Sequence, residues 1–187
     1  MVVKNGDIRS FYRTTTRSKA TLDKFTAIEN KNKTIIQHIE DLHDPTDQIE
    51  SREDPDELKG RFGVFAKRRM LQGAFVCEYA GDLINRREAE KRDKIYELRD
   101  KGSYMFYFNW NNRCYCLDAT EPTSRLGRLI NHSRKKPNCK MEIFIHKNKP
   151  YLILTAIRDI SPNEEILYDY GERDKEAIKA NPWLDDS

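Results

Sequence analysis

Between residues 63 and 169 the apolar side chains come in bursts of four to seven residues, each cut off by turn-forming or charged residues. Bursts of that length suit strands, whereas packed helices need about ten residues or more. They fall at 63–66, 74–79, 104–110, 114–117, 142–146, 151–157 and 165–169. The first two are expected to pair around a polar turn ending in Gly73. The third and fourth meet around Asn111-Asn112, the fifth and sixth across Lys147 to Pro150, and 165–169 is a last strand. Helical patterns flank them: Leu22, Phe25 and Ile28, then Ile35, Ile39 and Leu42, recur at helical spacing, and 86–101 is charged and helical. Asp174 can cap a short helix running to Ala180. Many short strands with helices at the ends predict an α+β fold dominated by small sheets.

At 187 residues there is room for one domain and a modest appendage. Charged residues reach 35%, yet eight Phe, nine Tyr and two Trp are too many for a disordered polyelectrolyte. The net charge of +3 hides strong segregation. Residues 1–20 carry five basic side chains and one acid, 40–58 nine acids against Arg52, 125–149 eight basic residues and one acid, and 161–187 eight acids and three basic residues. Such blocks are ordinarily solvated faces, and they also orient a molecule on a charged partner. Asp44-Pro45 and Asp54-Pro55 punctuate what reads as an acidic, strand-poor linker. No run of 18 apolar residues is present, so no membrane-spanning helix is expected. The N-terminus lacks the apolar stretch of a signal peptide, and Cys77, Cys114, Cys116 and Cys139 are expected to be reduced thiols of a soluble intracellular domain.

Two segments stand out: Arg125-Leu126-Gly127-Arg128-Leu129-Ile130-Asn131-His132-Ser133, and Glu164-Glu165-Ile166-Leu167-Tyr168-Asp169-Tyr170-Gly171. Asn131 and His132 follow an apolar stretch, and a carboxamide offers two donors and an acceptor, suited to a ligand bearing an amine and a carboxylate. From spacing alone the commoner arrangement is a helix end with a satisfied Asn and a core His. Tyr168 and Tyr170, two apart in a strand, share one face. They are either core residues with hydroxyls at the rim or, joined by Tyr79 and Tyr104, the walls of a narrow aromatic channel that favours a cation or methylated amine.

RLGRLINHS followed by EEILYDYG resembles the SET-domain protein lysine methyltransferases. Gly60-Arg61-Phe62-Gly63-Val64-Phe65-Ala66, Glu78-Tyr79-Ala80-Gly81-Asp82-Leu83-Ile84 and Pro137-Asn138-Cys139 stand in the family's order, and the likeness runs from about residue 58 to 184. Ser103-Tyr104-Met105, Cys114 through Thr120, the ending Asn181-Pro182-Trp183-Leu184 and an upstream Ser10-Phe11-Tyr12-Arg13 look like the PR-Set branch, which monomethylates lysine 20 of histone H4. The glycine turn reads G-R-F-G where the family more often has G-R-G; Glu172 and Asn181 stand where the branch has Asp and His.

The resemblance implies a SET fold of several small sheets, with a pseudoknot-like crossing that brings 125–133 against 164–171. Its three parts would be a basic arm, helical flank and acidic linker over 1–57, a SET domain over 58–172, and a C-terminal lid over 173–187. S-adenosylmethionine would be bound by Gly60, Arg61, Phe62, Tyr104, Asn131 and His132 (the last through its main chain), with Trp183 stacked on the adenine. Tyr170 would stand beside the transferring methyl, Tyr79 would hold the incoming amine, and Tyr168 would occupy the position that limits transfer to one methyl. Free lysine has a pKa of about 10.4. A desolvated channel beside a sulfonium charge would favour the neutral, nucleophilic amine. No cysteine follows Cys139, so the zinc cluster of many relatives cannot be completed and no metal is expected.

The activity so implied is histone-lysine N-methyltransfer. Its partners would be the histone H4 tail and the nucleosome, with DNA phosphates met by the basic segments, on nuclear chromatin and as a monomer. Glu164, Glu165, Asp169 and Glu172 would suit a basic tail. The alternatives are the same chemistry on a non-histone lysine, or a SET-fold binding module without catalysis.

Overall fold

The computed structural model describes residues 19–53, 62–99, 102–171, 173, 175–180 and 183–186. Two compact units divide between Gln37 and His38. The described part of the first is helix α1 (Lys19–Glu40), whose last turn belongs to the second. The two apolar triplets expected to be helical thus fall on one helix, apart from Leu42, which lies beyond it with φ of +53°.

The second unit holds three small sheets. Strands β1 (Ile49–Glu53) and β2 (Phe62–Ala66) pair antiparallel, Ile49 opposite Ala66. Five strands form the central sheet: β3 (Phe75–Glu78), β7 (Asn131–His132), β8 (Cys139–His146), β9 (Lys149–Ala156) and β10 (Leu167–Tyr168), in the order β3-β9-β8-β10-β7. The third sheet has β6 (Arg113–Asp118) between β4 (Asp82–Asn85) and β5 (Met105–Trp110). Helix α2 (Arg86–Leu98) follows β4; Asn85 caps it by accepting the Glu88 N–H at 3.0 Å. A 3-10 turn (Gly127–Leu129) precedes β7, and short helices α3 (Lys175–Ala180) and α4 (Trp183–Asp186) close the chain.

The β5–β6 and β8–β9 hairpins are where the sequence places them, and each turns on two residues with positive φ: Asn111 and Asn112, Lys147 and Asn148. That pair of left-handed residues matches the twist of the flanking strands. Three expectations need correction. Residues 63–66 and 74–79 do not pair with each other: β2 pairs with β1, and β3 with β9. The acidic linker is not strand-poor, since β1 runs through it with Ile49 buried and its charged side chains partly exposed. Residues 165–169 yield only a two-residue strand. The core gathers Ile49, Val64, Val76, Ile130, Leu152, Leu154, Ile160 and Ile166, together with Tyr79 and Tyr168. No described helix is long and apolar enough to cross a membrane.

Candidate active site at the crossing of two segments

The parallel pairing of β10 with β7 sets Leu167 opposite Asn131 and Tyr168 opposite His132. On its other side Tyr168 pairs with Cys139 of β8. So short a ladder needs support, and one side chain supplies three bonds of it. Asn138, 1% exposed, donates from Nδ2 to Glu164 Oε1 (3.0 Å) and the Glu165 carbonyl (2.7 Å), while its Oδ1 accepts the Leu167 N–H (2.8 Å). The same segment is held to β2, where the Ile166 N–H donates to the Val64 carbonyl at 2.7 Å.

His132 is buried and bonded at both ring nitrogens. Nδ1 accepts the Tyr170 N–H at 3.0 Å, so the ring hydrogen lies on Nε2, which donates to the Leu184 carbonyl at 2.9 Å. Its side chain is therefore the satisfied core histidine of the plainer sequence reading, and it also ties down the C-terminal turn. Arg134, which pairs with Asp185, adds a second tie. Asn131 lies at the surface end of β7. Its Nδ2 donates to the Phe62 carbonyl (3.2 Å) and to Glu165 Oε1 (2.8 Å). Gly63 makes this possible: a Cβ there would stand 2.7 Å from Glu165 Oε1 and 3.3 Å from Asn131 Nδ2.

Three phenols converge beside this pair. The Tyr170 ring lies 4.7 Å from that of Tyr168 and 5.0 Å from the His132 imidazole, and its hydroxyl donates to the Ile130 carbonyl at 2.8 Å. Tyr79 follows β3, donates its hydroxyl to the Tyr104 carbonyl at 3.1 Å and tilts against Phe106. Burial pushes the Tyr79 phenol well above its ordinary range, and the nearby Tyr170 adds to the effect. Tyr168 is shifted the same way by burial, then by Tyr170 and Tyr79. Both are neutral phenols at physiological pH. Tyr104 contributes a half-exposed ring with the Arg128 guanidinium 4.0 Å above it. Arg128 Nε is buried and has no hydrogen-bond partner among the described residues.

The structure thus brings together Tyr79, Tyr168, Tyr170, Asn131 and His132, with Tyr104 bonded to Tyr79 and Phe62 to Asn131. Gly60 and Arg61 lie outside the described residues, as does the side chain of Trp183; its main chain opens α4, one residue before the carbonyl that His132 holds. Three of the acids read as suited to a basic tail are bonded within the chain. Glu164 bonds Asn138, Arg158 and the Ser161 N–H, Glu165 bonds Asn131, and Asp169 bonds Arg173 and the Gly171 N–H. These bonds help to hold the frame of the site. Glu172 lies outside the described residues. Residue-by-residue reading gave Asn138 and Arg128 no role, although both stand in the quoted motifs. The described residues contain no group of three or more His, Cys, Asp or Glu placed to hold a metal. Burial pushes the Cys116 and Cys139 thiols up to about 12.

Residues 61–171 match the SET domain family. The chain belongs to that family. Within it, the likeness is to the PR-Set branch of protein lysine methyltransferases. N-lysine methyltransferase KMT5A of Xenopus tropicalis is 51% identical over 127 residues, covering 67% of this chain and 37% of that protein. Histone-lysine N-methyltransferase Set8 of Drosophila melanogaster is 49% identical over 127 residues, covering 67% of this chain and 18% of that protein. The chain therefore spans little more than a third of the first of these relatives and less of the second. Among solved structures, CpSET8 from Cryptosporidium superposes with a TM-score of 0.62 at 40% identity, covering 67% of this chain and 58% of that one. Polycomb Repressive Complex 2 of Chaetomium thermophilum, autoinhibited and bound to S-adenosylmethionine, superposes with a TM-score of 0.56 at 28% identity, covering 72% of this chain and 17% of that one.

Proposed function

We propose that this SET domain is an S-adenosylmethionine-dependent protein lysine N-methyltransferase that adds one methyl to lysine 20 of histone H4 in nucleosomes, and so works in the nucleus. The observation that carries the reading is the β7–β10 crossing, which puts Tyr168 and Tyr170 beside Asn131 and His132, with Tyr79 in the same core cluster. The residues fit the cofactor in shape and donor chemistry. The bare main chain at Gly63 lies against the Asn131 carboxamide, and the half-exposed Phe62 and Tyr104 rings offer apolar faces. Phe62, Asn131, the His132 main chain and Tyr104 would hold it, with Gly60, Arg61 and Trp183 assigned by resemblance. When bound, S-adenosylmethionine supplies a methyl on a sulfonium.

The chain's own residues do the rest. Tyr79 and Tyr170 donate their hydroxyl hydrogens to the Tyr104 and Ile130 carbonyls, so toward an amine N–H each hydroxyl would act through its oxygen as an acceptor. Buried neutral phenols provide no negative charge to retain an ammonium, so the site disfavours the protonated lysine. Alignment of the amine then supplies much of the rate. Tyr168, packed on Tyr170, limits the space left for a methylated amine. The names of the relatives support a histone substrate, and the exposed Arg134, Lys136 and Lys140 suit contact with DNA phosphates.

The test is methyl transfer from labelled S-adenosylmethionine to nucleosomes, free histone H4 and unrelated proteins. Transfer to histone H4 with a single methyl is expected, lost in Tyr170→Phe and converted to dimethyl product in Tyr168→Phe. Cofactor binding without transfer to any protein would leave a binding module, and transfer only to other proteins would reassign the substrate.

A further inference from the structure

Asp44 lies in a segment with no helix or strand of its own, yet it is 3% exposed. The turn before it ends α1: the Leu42 N–H returns to the Ile39 carbonyl (3.3 Å) and the His43 N–H to the His38 carbonyl (3.1 Å). This is the closure that usually puts glycine in the left-handed position, here taken by Leu42. The Asp44 carboxylate then does two things. Oδ1 accepts from Arg125 Nε at 2.9 Å, and Oδ2 accepts the Leu126 N–H at 2.6 Å. The other end of the Arg125 guanidinium donates to Glu78 Oε2 at 2.8 Å.

One buried guanidinium therefore joins three segments, and two of them lead straight into the site. Tyr79 is the residue after Glu78. The turn after Leu126 runs to Ile130, whose carbonyl holds the Tyr170 hydroxyl, and to Asn131. These two segments touch at main-chain level: a Cβ on Gly127 would stand 2.3 Å from the Glu78 carbonyl oxygen and 2.9 Å from Tyr79 Cα. A buried cluster of two carboxylates and one guanidinium is poorly suited to stabilising a fold, because apolar packing of like volume does as well or better. What directional charged bonds add is a fixed rotation between the segments they join.

We propose that Asp44 is a positioning residue for the active site: through Arg125 and the Leu126 N–H it holds the 127–129 turn against Glu78 and Tyr79, and so fixes Asn131 relative to the phenols. The proposal rests on the reading that Asn131 takes part in binding S-adenosylmethionine.

The test uses the full chain as Asp44→Asn, which keeps an acceptor for the Leu126 N–H but removes the charge facing Arg125, and as Asp44→Ala, which removes both. Met70→Ala, at a core position whose main chain pairs with Ile160, serves as the stability control. Calorimetric binding of S-adenosylhomocysteine, KM for each substrate, kcat and Tm are measured. Asp44→Ala is expected to weaken cofactor binding about tenfold and Asp44→Asn about threefold, as misplacement of a binding group would. KM for the histone substrate should stay within about twofold, and Met70→Ala should lower Tm while changing cofactor affinity less than about twofold. Should Asp44→Ala fail to fold, Asp44→Asn and Arg125→Lys carry the same expectation. Cofactor affinity unchanged in the folded Asp44 variants, or moved as much by Met70→Ala, would overturn the proposal. A wild-type chain that binds no S-adenosylhomocysteine would overturn the site reading first and the proposal with it.

Discussion

The β8–β9 hairpin and the β7–β10 crossing share a sheet but are held in opposite ways. The hairpin pairs eight residues of each strand, from Cys139 opposite Ala156 to His146 opposite Lys149, and closes on a two-residue turn. The crossing pairs two residues of β10 with two of β7, and one of them also with β8. A few flanking main-chain bonds extend it, among them Ser133 N–H to the Tyr168 carbonyl and Asn138 N–H to the Leu167 carbonyl, and the side chains of Asn138, His132 and Asn131 add the rest. Where the backbone ladder is long, side chains are interchangeable within wide limits; where it is short, single polar side chains hold the geometry. The region assigned to chemistry is the second kind.

The largest expected effect sharpens that contrast. Asn138→Ala removes two donors and an acceptor from a fully buried position and leaves the Leu167 N–H and Glu165 carbonyl unsatisfied, so it should cost about 3 kcal/mol in urea unfolding. A loss below about 1 kcal/mol would break the comparison. The next effect is one of pH. Burial alone would raise the Glu164 carboxyl, but hydrogen bonds from Arg158, the Ser161 N–H and Asn138 bring it below its ordinary 4.5. A carboxyl lowered in the folded state contributes stability that is present above its unfolded value and lost as pH falls through the folded one. Stability should therefore decline below about pH 4.5, less steeply in Glu164→Gln; equal slopes in urea midpoints across that range would count against this role of Glu164. The smallest effect belongs to the hairpin. Asn148→Gly puts glycine at a left-handed turn position and should raise stability by about 0.5 kcal/mol, read as a small rise in Tm.

Legibility in the sequence follows the same line. The β5–β6 and β8–β9 hairpins and α2 are local: their turn residues, cap and periodicity lie within a few positions of one another. The two strands misjudged at the start of the domain are not. β2 pairs back with β1, and β3 with the distant β9, rather than with each other, and β1 is so charged that its one buried end residue, Ile49, gives little pattern to read. The site was legible mainly through the resemblance of RLGRLINHS and EEILYDYG to a known family. Spacing alone left Tyr168 and Tyr170 between core and channel, and in the structure Tyr168 is indeed core while packing on the ring beside the site. The Asp44–Arg125–Glu78 cluster joins residues far apart in the chain, and Asp44 beside Pro45 gave only the sign of a turn.

The placement of β8 and β9 between β7 and β10 in the chain has a kinetic side. The hairpin draws the chain back on itself through contacts close in sequence, which form fast. Once Cys139 and Ala156 are opposed, the span that separates His132 from Tyr168 is already short-circuited, and the entropy of bringing them together falls. Refolding should thus proceed from scaffold to crossing, with the tyrosine cluster acquiring its native environment last.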